Sequence, residues 1–290
     1  MTASHLPYQH PLRRAQRARQ LMAENGLRWT IYAALLGGFR KAGHAVYERM
    51  VRLELQHQLS GRNTVALNYQ RWQDWDWSNL GEEWSASEEW KQSLIDEVML
   101  KYLRPETTIL EIGPGAGRWT ETLQRIAGHL TVVDLSDRCI ELCRQRFAGA
   151  SNMEFHVNDG KTLSAVAASS IDGVWSFDVF VHIAPREIGS YIAEIGRVLR
   201  PGGIAVIHHA AVGRENDAAA LGWRSTMTAS LFAEMVQDQG LSLITQFDSW
   251  GRDGRFDVRL HQDVVTVFRK APQAASASAP HVGVESDGAK

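Results

Sequence analysis

Ile109-Leu110-Glu111-Ile112-Gly113-Pro114-Gly115-Ala116-Gly117-Arg118-Trp119 is the stretch on which the fold of this 290-residue chain turns. An apolar run ends in an acidic residue and then in a loop with glycine at every second position. Such a loop brings bare backbone close to a ligand at the start of the next helix, where unpaired N–H groups favour a carboxylate or phosphate. The dinucleotide-binding version spaces its glycines G-x-G-x-x-G. Here Arg118 stands at the last glycine position and Gly117 comes one place early.

On either side of this loop, β-rich runs alternate with helical stretches, the pattern of a parallel sheet covered on both faces. The expected strands are Thr108–Ile112, Leu130–Asp134, Met153–Asn158, Gly173–Phe177, Ile204–His208, Leu241–Phe247 and Val264–Phe268. The last two flank a stretch without helical pattern, Asp248–Asp263, so they are expected to pair as an antiparallel hairpin at the sheet edge. The fold class is α/β, a doubly wound, seven-stranded, mostly parallel sheet with an N-terminal helical extension. Three strand ends carry polar groups on one sheet edge, where open α/β sheets bind ligands. Asp134 can accept hydrogen bonds from both hydroxyls of a ribose, and Asn158-Asp159-Gly160 can hold an adenine edge.

From Leu94 to Lys270 the sequence resembles the class I S-adenosylmethionine (SAM)-dependent methyltransferases. The resemblance rests on Glu111-x-Gly113-x-Gly115-x-Gly117, Asp134, Asp159, the run Ile171-Asp172-Gly173-Val174-Trp175-Ser176-Phe177-Asp178-Val179-Phe180-Val181-His182, and Leu199-Arg200-Pro201-Gly202-Gly203. It implies SAM as cofactor, a seven-stranded sheet with a final antiparallel strand, and a set of roles. Glu111, Gly113, Gly115 and Gly117 would hold the methionine part, Asp134 the ribose, and Asn158 and Asp159 the adenine. Phe177 and Asp178 would lie near the sulfonium.

The remaining sequence frames this domain. Residues 1–62 carry ten Arg/Lys against three Asp/Glu and read as one or two helices interrupted near Gly26 and at Gly37-Gly38. Residues 63–93 hold five of the ten tryptophans among acidic residues, a cap or acceptor-binding segment in which Ser87 starts a helix running to Tyr102. Residues 94–270 are the cofactor-binding domain, and 271–290, rich in Ala, Ser, Pro and Gly, read as a disordered tail. No apolar run reaches the roughly 18 to 20 residues of a membrane span, and Cys139 and Cys143 fit helical neighbours in a reducing compartment better than a disulfide. The expected location is the cytoplasm. Arg13, Arg14, Arg17, Arg19 and Arg28 before apolar Trp29–Phe39 suit an anionic membrane surface; packing against the domain or a second subunit is the favoured reading.

The acceptor is expected to be small or glycan-like. Trp72, Trp84, Trp90 and Trp223 offer flat rings for the C–H face of a sugar while neighbouring carboxylates take its hydroxyls, and Arg224 beside Trp223 in the insert is a further acceptor-binding candidate. The alternative is a Trp-rich lid packed on the core. For a hydroxyl acceptor the candidate bases are His182, with Asp178 four residues earlier to orient it, and the His208-His209 pair, of which His209 faces the 210–228 insert. The reading is O-methylation of a sugar or glycosylated metabolite. Its rivals are N- or C-methylation of a natural product and a non-catalytic SAM-binding module. The basic helices lack the interleaved aromatics of a nucleic-acid surface, and no metal-ligand spacing is present.

Overall fold

The computed structural model describes residues 59–213 and 224–272 together with most of 27–57. The chain divides into two compact units, Met1–Leu59 and Ser60–Lys290. In the first, Gly38 opens a continuous helical run to Met50, so the break read at Gly37-Gly38 does not extend to Gly38. A glycine inside a helix costs about 1 kcal/mol without ending it. Leu27, Ile31, Leu35 and Phe39 are exposed at the four-residue spacing of one helix face. Arg13, Arg14, Arg17, Arg19, Gly26, Gly37, most of the 210–228 insert with Trp223, and the tail beyond residue 272 lie outside the described residues.

The second unit holds β1 (Thr108–Ile112), β2 (His129–Asp134), β3 (Met153–Val157), β4 (Ile171–Ser176), β5 (Leu199–Ala210), β6 (Leu241–Phe247), β7 (Ser249–Trp250), β8 (Phe256–Asp257) and β9 (Asp263–Lys270). Its main sheet runs β3-β2-β1-β4-β5-β9-β6. The first five strands are parallel, and β9 is antiparallel to both β5 and β6. The expected hairpin of β6 and β9 is present with β6 at the edge, and the stretch between them folds into the small β7–β8 pair. The strand order reverses at β1 and β4. A crevice therefore opens beyond the carboxyl ends of those two strands, directly under the glycine loop.

Both faces of the sheet are covered because its central strands are apolar on both sides, as in β1, where the last four residues are buried. One face packs Leu110, Val174 and Ile207 against Ile188, Ile192 and Ile195 of helix Pro185–Val198, which begins with the preorganised φ of Pro185. The other face packs Ile109, Trp175 and Val206 against Leu94, Val98 and Trp119. The Ser87 hydroxyl accepts from the Trp90 N–H at 3.0 Å, capping a helix that runs to Leu94 and continues through a π turn and a last short piece to Tyr102.

The Trp-rich segment forms a strap over the crevice. Helix Val65–Asp74 is capped by Thr64 and tied at both sides of the sheet. Asn68 Nδ2 donates to the His182 carbonyl beyond β4 at 2.7 Å, and the Tyr69 hydroxyl donates to Asp137 beyond β2 at 3.0 Å. Trp72, Trp75, Trp77 and Trp84 then cluster with ring centroids 5.3 to 6.2 Å apart and pack on Ala116 and Cys139.

Candidate functional site

Strap and sheet edge line an open cleft of about 1150 Å³, solvent at its mouth included. Its floor is the glycine loop. Gly113 (φ +75°) and Gly115 (φ +57°) both line it in the left-handed region. A Cβ on Gly113 would stand 2.3 Å from Val179, and one on Gly115 2.7 Å from the Trp77 ring. Only glycine gives the loop this path. Gly117 lies outside the lining, its missing Cβ making room for Phe147 at 2.7 Å.

Asp134 ends β2 at the cleft wall, accepting from the Ser136 N–H at 2.8 Å and the Gly115 N–H at 3.4 Å. Each carboxylate oxygen keeps a further lone pair for a ligand hydroxyl. Burial pushes its pKa up to about 6. Glu111, 1% exposed, sits beneath the loop and outside the lining, accepting from the Thr120 hydroxyl at 2.6 Å. Burial raises its pKa to about 8, so at neutral pH it is largely protonated and fixes the base of the loop.

Asn158 and Asp159 do not line the cleft. Asn158 Nδ2 donates to the Thr162 carbonyl and the Tyr191 hydroxyl, and its Oδ1 accepts from Gly160 N–H. Asp159 Oδ1 caps the N–H groups of Lys161 and Thr162. Both side chains thus shape their own turn, Asn158 half-buried and Asp159 exposed with Oδ2 outside those bonds. Gly160, Leu135 and Tyr191 line that end of the cleft in their place.

Phe177 and Asp178 do line the cleft. Asp178 adopts φ +61°, uncommon for a residue with a side chain, and such strain clusters at functional sites. Its carboxylate meets Arg118 Nη2 at 2.5 Å and His208 Nδ1 at 3.1 Å. Burial alone would raise its pKa, but Arg118 and His208 hold it well below the usual carboxylate range. The Asp178 oxygens thus engage Arg118 and His208. His208 stacks on Phe177 at 4.2 Å and lies 3.5 Å from Asp263, which also pairs with Arg224 at 3.1 Å. Despite burial, these two carboxylates raise the His208 pKa. An alternating row of basic and acidic groups, Arg118-Asp178-His208-Asp263-Arg224, thus runs from the glycine loop to the insert. Sequence reasoning missed Arg118, His208 and Asp263 as one network because each partner lies 30 to 60 positions away (208 − 178, 178 − 118).

His182 lines the cleft, its ring edge-on to Trp72 at 5.2 Å. His209 does not. It is fully buried against Phe232 at 3.8 Å, with Nδ1 2.8 Å from the Ala210 carbonyl and Nε2 2.6 Å from the Thr266 hydroxyl. A carbonyl can only accept, so Nδ1 carries the proton and the ring is neutral. Burial lowers its pKa to about 3. His209 as a base is corrected to His209 as core. Its replacement by Ala should cost about 2 to 4 kcal/mol of stability while leaving SAM affinity within about twofold, checked by denaturant unfolding beside calorimetry. Among the tryptophans, Trp72 and Trp84 line the cleft, as does Trp77, while Trp90 is core between Trp250 and Phe177. Arg224 lines it from the insert.

Residues 109–203 match the methyltransferase domain family. A probable O-methyltransferase of Mycobacterium tuberculosis is 33% identical over 123 residues, 40% of this chain and 53% of that protein. The ribosomal RNA small subunit methyltransferase A of Pseudomonas fluorescens is 40% identical over 67 residues, 23% of this chain and 25% of that protein. The chain spans about half the length of the first of these relatives. The N-methyltransferase NodS of Bradyrhizobium japonicum, in complex with S-adenosylhomocysteine, superposes with a TM-score of 0.54 over 71% of this chain and 98% of its own at 22% identity. The [4+2]-cyclase SpnF superposes at 0.50 over 62% and 80%, with 18% identity. These two likenesses show the fold alone. The matched segment thus has the sequence of a methyltransferase domain and lies on a fold shared with NodS.

The residues present fit SAM as cofactor. The glycine cradle would be filled by any Cβ, Asp134 retains acceptor capacity, and the buried Arg118 Nη1 has no partner among the described residues, a donor suited to a carboxylate.

Proposed function

We propose that the protein methylates a hydroxyl of a sugar or glycosylated metabolite, using His182 as proton acceptor. The observation that carries this reading is the position of His182 on the wall of the same cleft that contains Asp134 and the glycine loop. The printed description of the mycobacterial relatives as O-methyltransferases supports a hydroxyl acceptor.

SAM, when bound, supplies a methyl group already activated on sulfur. The chain's own residues then have three tasks. Asp134 and the loop fix the cofactor's orientation, and the Trp72-Trp77-Trp84 roof excludes water from the reacting centre. His182 would take the proton that the acceptor hydroxyl gives up on methylation. Arg118 and His208 keep Asp178 ionised, placing a fixed negative charge at the end of β4 where a cationic sulfur centre is expected.

Asp134→Ala tests the cofactor half. It should weaken SAM binding by about 1.5 to 3 kcal/mol, the range for hydrogen bonds to a charged group, with folding intact. Calorimetric titration giving wild-type affinity would remove Asp134 from the site.

A further inference from the structure

The end of the cleft beside His182 holds three buried polar groups whose bonding capacity the protein leaves unused. Glu187, in the first turn of helix Pro185–Val198, is 5% exposed and lines the cleft. Among the described residues its carboxylate has one donor, the Ser60 hydroxyl, 3.0 Å from both oxygens. A carboxylate has about four acceptor positions, and a buried one is ordinarily paired with a cation; no cation pairs with it among the described residues. Asn63, 6% exposed, donates Nδ2 to the Arg224 carbonyl at 3.0 Å and leaves Oδ1 buried without a partner. That bond also settles the amide's orientation, since the reverse would set two oxygens against each other. Arg224, 7% exposed, reaches Asp263 through Nη2 and leaves Nε buried without a partner among the described residues. All three residues line the cleft.

One turn brings them together. The Asn63 N–H donates to the Ser60 carbonyl at 3.0 Å, with Gly61 at φ +54° between them. Its first residue holds Glu187 and its last holds Arg224. Two acceptors and a donor therefore face one space.

We propose that Asn63, Glu187 and Arg224 form a subsite that reads neighbouring hydroxyls on the methyl acceptor, Glu187 and Asn63 Oδ1 accepting from them and Arg224 Nε donating. A hydroxyl is the group that satisfies both kinds of orphan, since it donates one hydrogen bond and accepts others. A carboxylate or phosphate would meet Glu187 with like charge. An ammonium would meet Arg224. A carboxylate bridging a vicinal diol leaves neither charge opposed, and Trp72 in the same cleft offers a flat face to the C–H side of a ring. The acceptor class is thus a polyol bearing at least one diol beside the reacting hydroxyl. The inference rests on the methyltransferase reading above and adds what else the acceptor must carry.

Periodate cleaves vicinal diols, so the test compares two halves of one small-molecule extract, one oxidised and quenched before methyl-labelled SAM and enzyme are added. Label should enter the untreated half and be lost from the oxidised half. Glu187→Gln should lower incorporation about tenfold to a hundredfold at limiting acceptor, with S-adenosylhomocysteine binding and thermal midpoint near wild type. Arg224→Gln should lower it as much per folded enzyme but with a lowered thermal midpoint, because it also takes the cation from buried Asp263. Label that survives periodate, or variants that incorporate as wild type does, overturns the subsite and leaves the transferase reading intact. Cofactor binding with no label in either half overturns the transferase reading and the subsite with it.

Discussion

Gly115→Val is expected to abolish measurable SAM binding, a loss of more than about a hundredfold, which is larger than that from removing any single hydrogen bond. Gly115 sits at φ +57°, where a β-branched residue is a steric outlier. The new Cβ would stand 2.7 Å from the Trp77 ring, closer than carbon atoms approach without displacement. Either the loop abandons its path, and with it the Gly115 N–H bond that holds Asp134, or Trp77 is driven off the loop and the roof opens. Both outcomes remove the cradle. Gly202→Val separates this effect from general backbone strain, because Gly202 has φ +83° and nothing within 4 Å of an added Cβ. That variant should lose about 1 to 2 kcal/mol of stability and keep its cofactor. Equal SAM affinities for wild type and Gly115→Val, measured by equilibrium titration, would show that the loop does not hold the cofactor.

Much of this architecture was legible in the chain because its determinants are local. β1 and β6 begin and end where the apolar runs do, and Ser87 caps the helix it announces. Asp134 reaches the cleft because its strand terminates on it. Asn158 and Asp159 carry the same donors and acceptors after β3, yet the tight turn at Gly160 brings backbone N–H groups within reach of both side chains. Residue type at a strand end predicts a polar group there. It does not predict whether the loop that follows will use it first. The charge row was illegible for a different reason. Arg118 read as a misplaced glycine position and Asp263 as a loop end, and only strand pairing, with Ala210 opposite Asp263, brings the β5 and β9 termini together beside β4. The tryptophans divided between two readings that composition could not separate. Trp90 joined the core, and Trp72, Trp77 and Trp84 roofed the cleft.

His182→Ala is expected to depress turnover by about 10²- to 10⁴-fold, the usual cost of losing a general base, while SAM binds as tightly as before. The two effects separate because the anchor between the strap and this residue is a backbone one. Asn68 holds the His182 carbonyl rather than its ring, so the strap keeps its anchor when the side chain is cut back. The packing of the ring on Trp72 is lost in Ala, and a gap there could let water in or tilt the roof. His182→Gln answers this, since it keeps most of the volume and a hydrogen-bonding end but cannot accept a proton near neutral pH. A base demands that both variants fall together in kcat; a packing role demands that Gln recover most of what Ala loses. The pH profile divides the cases again. With a base removed, the residual rate should climb with pH as hydroxide or an ionised acceptor takes over, whereas a distorted roof gives a uniform loss. His209→Ala supplies the contrast within the same molecule, a buried histidine whose loss should appear as lowered stability with normal turnover per folded enzyme. Near-normal turnover in His182→Ala, measured on the acceptor found by label transfer, would leave methyl transfer here to alignment and water exclusion alone.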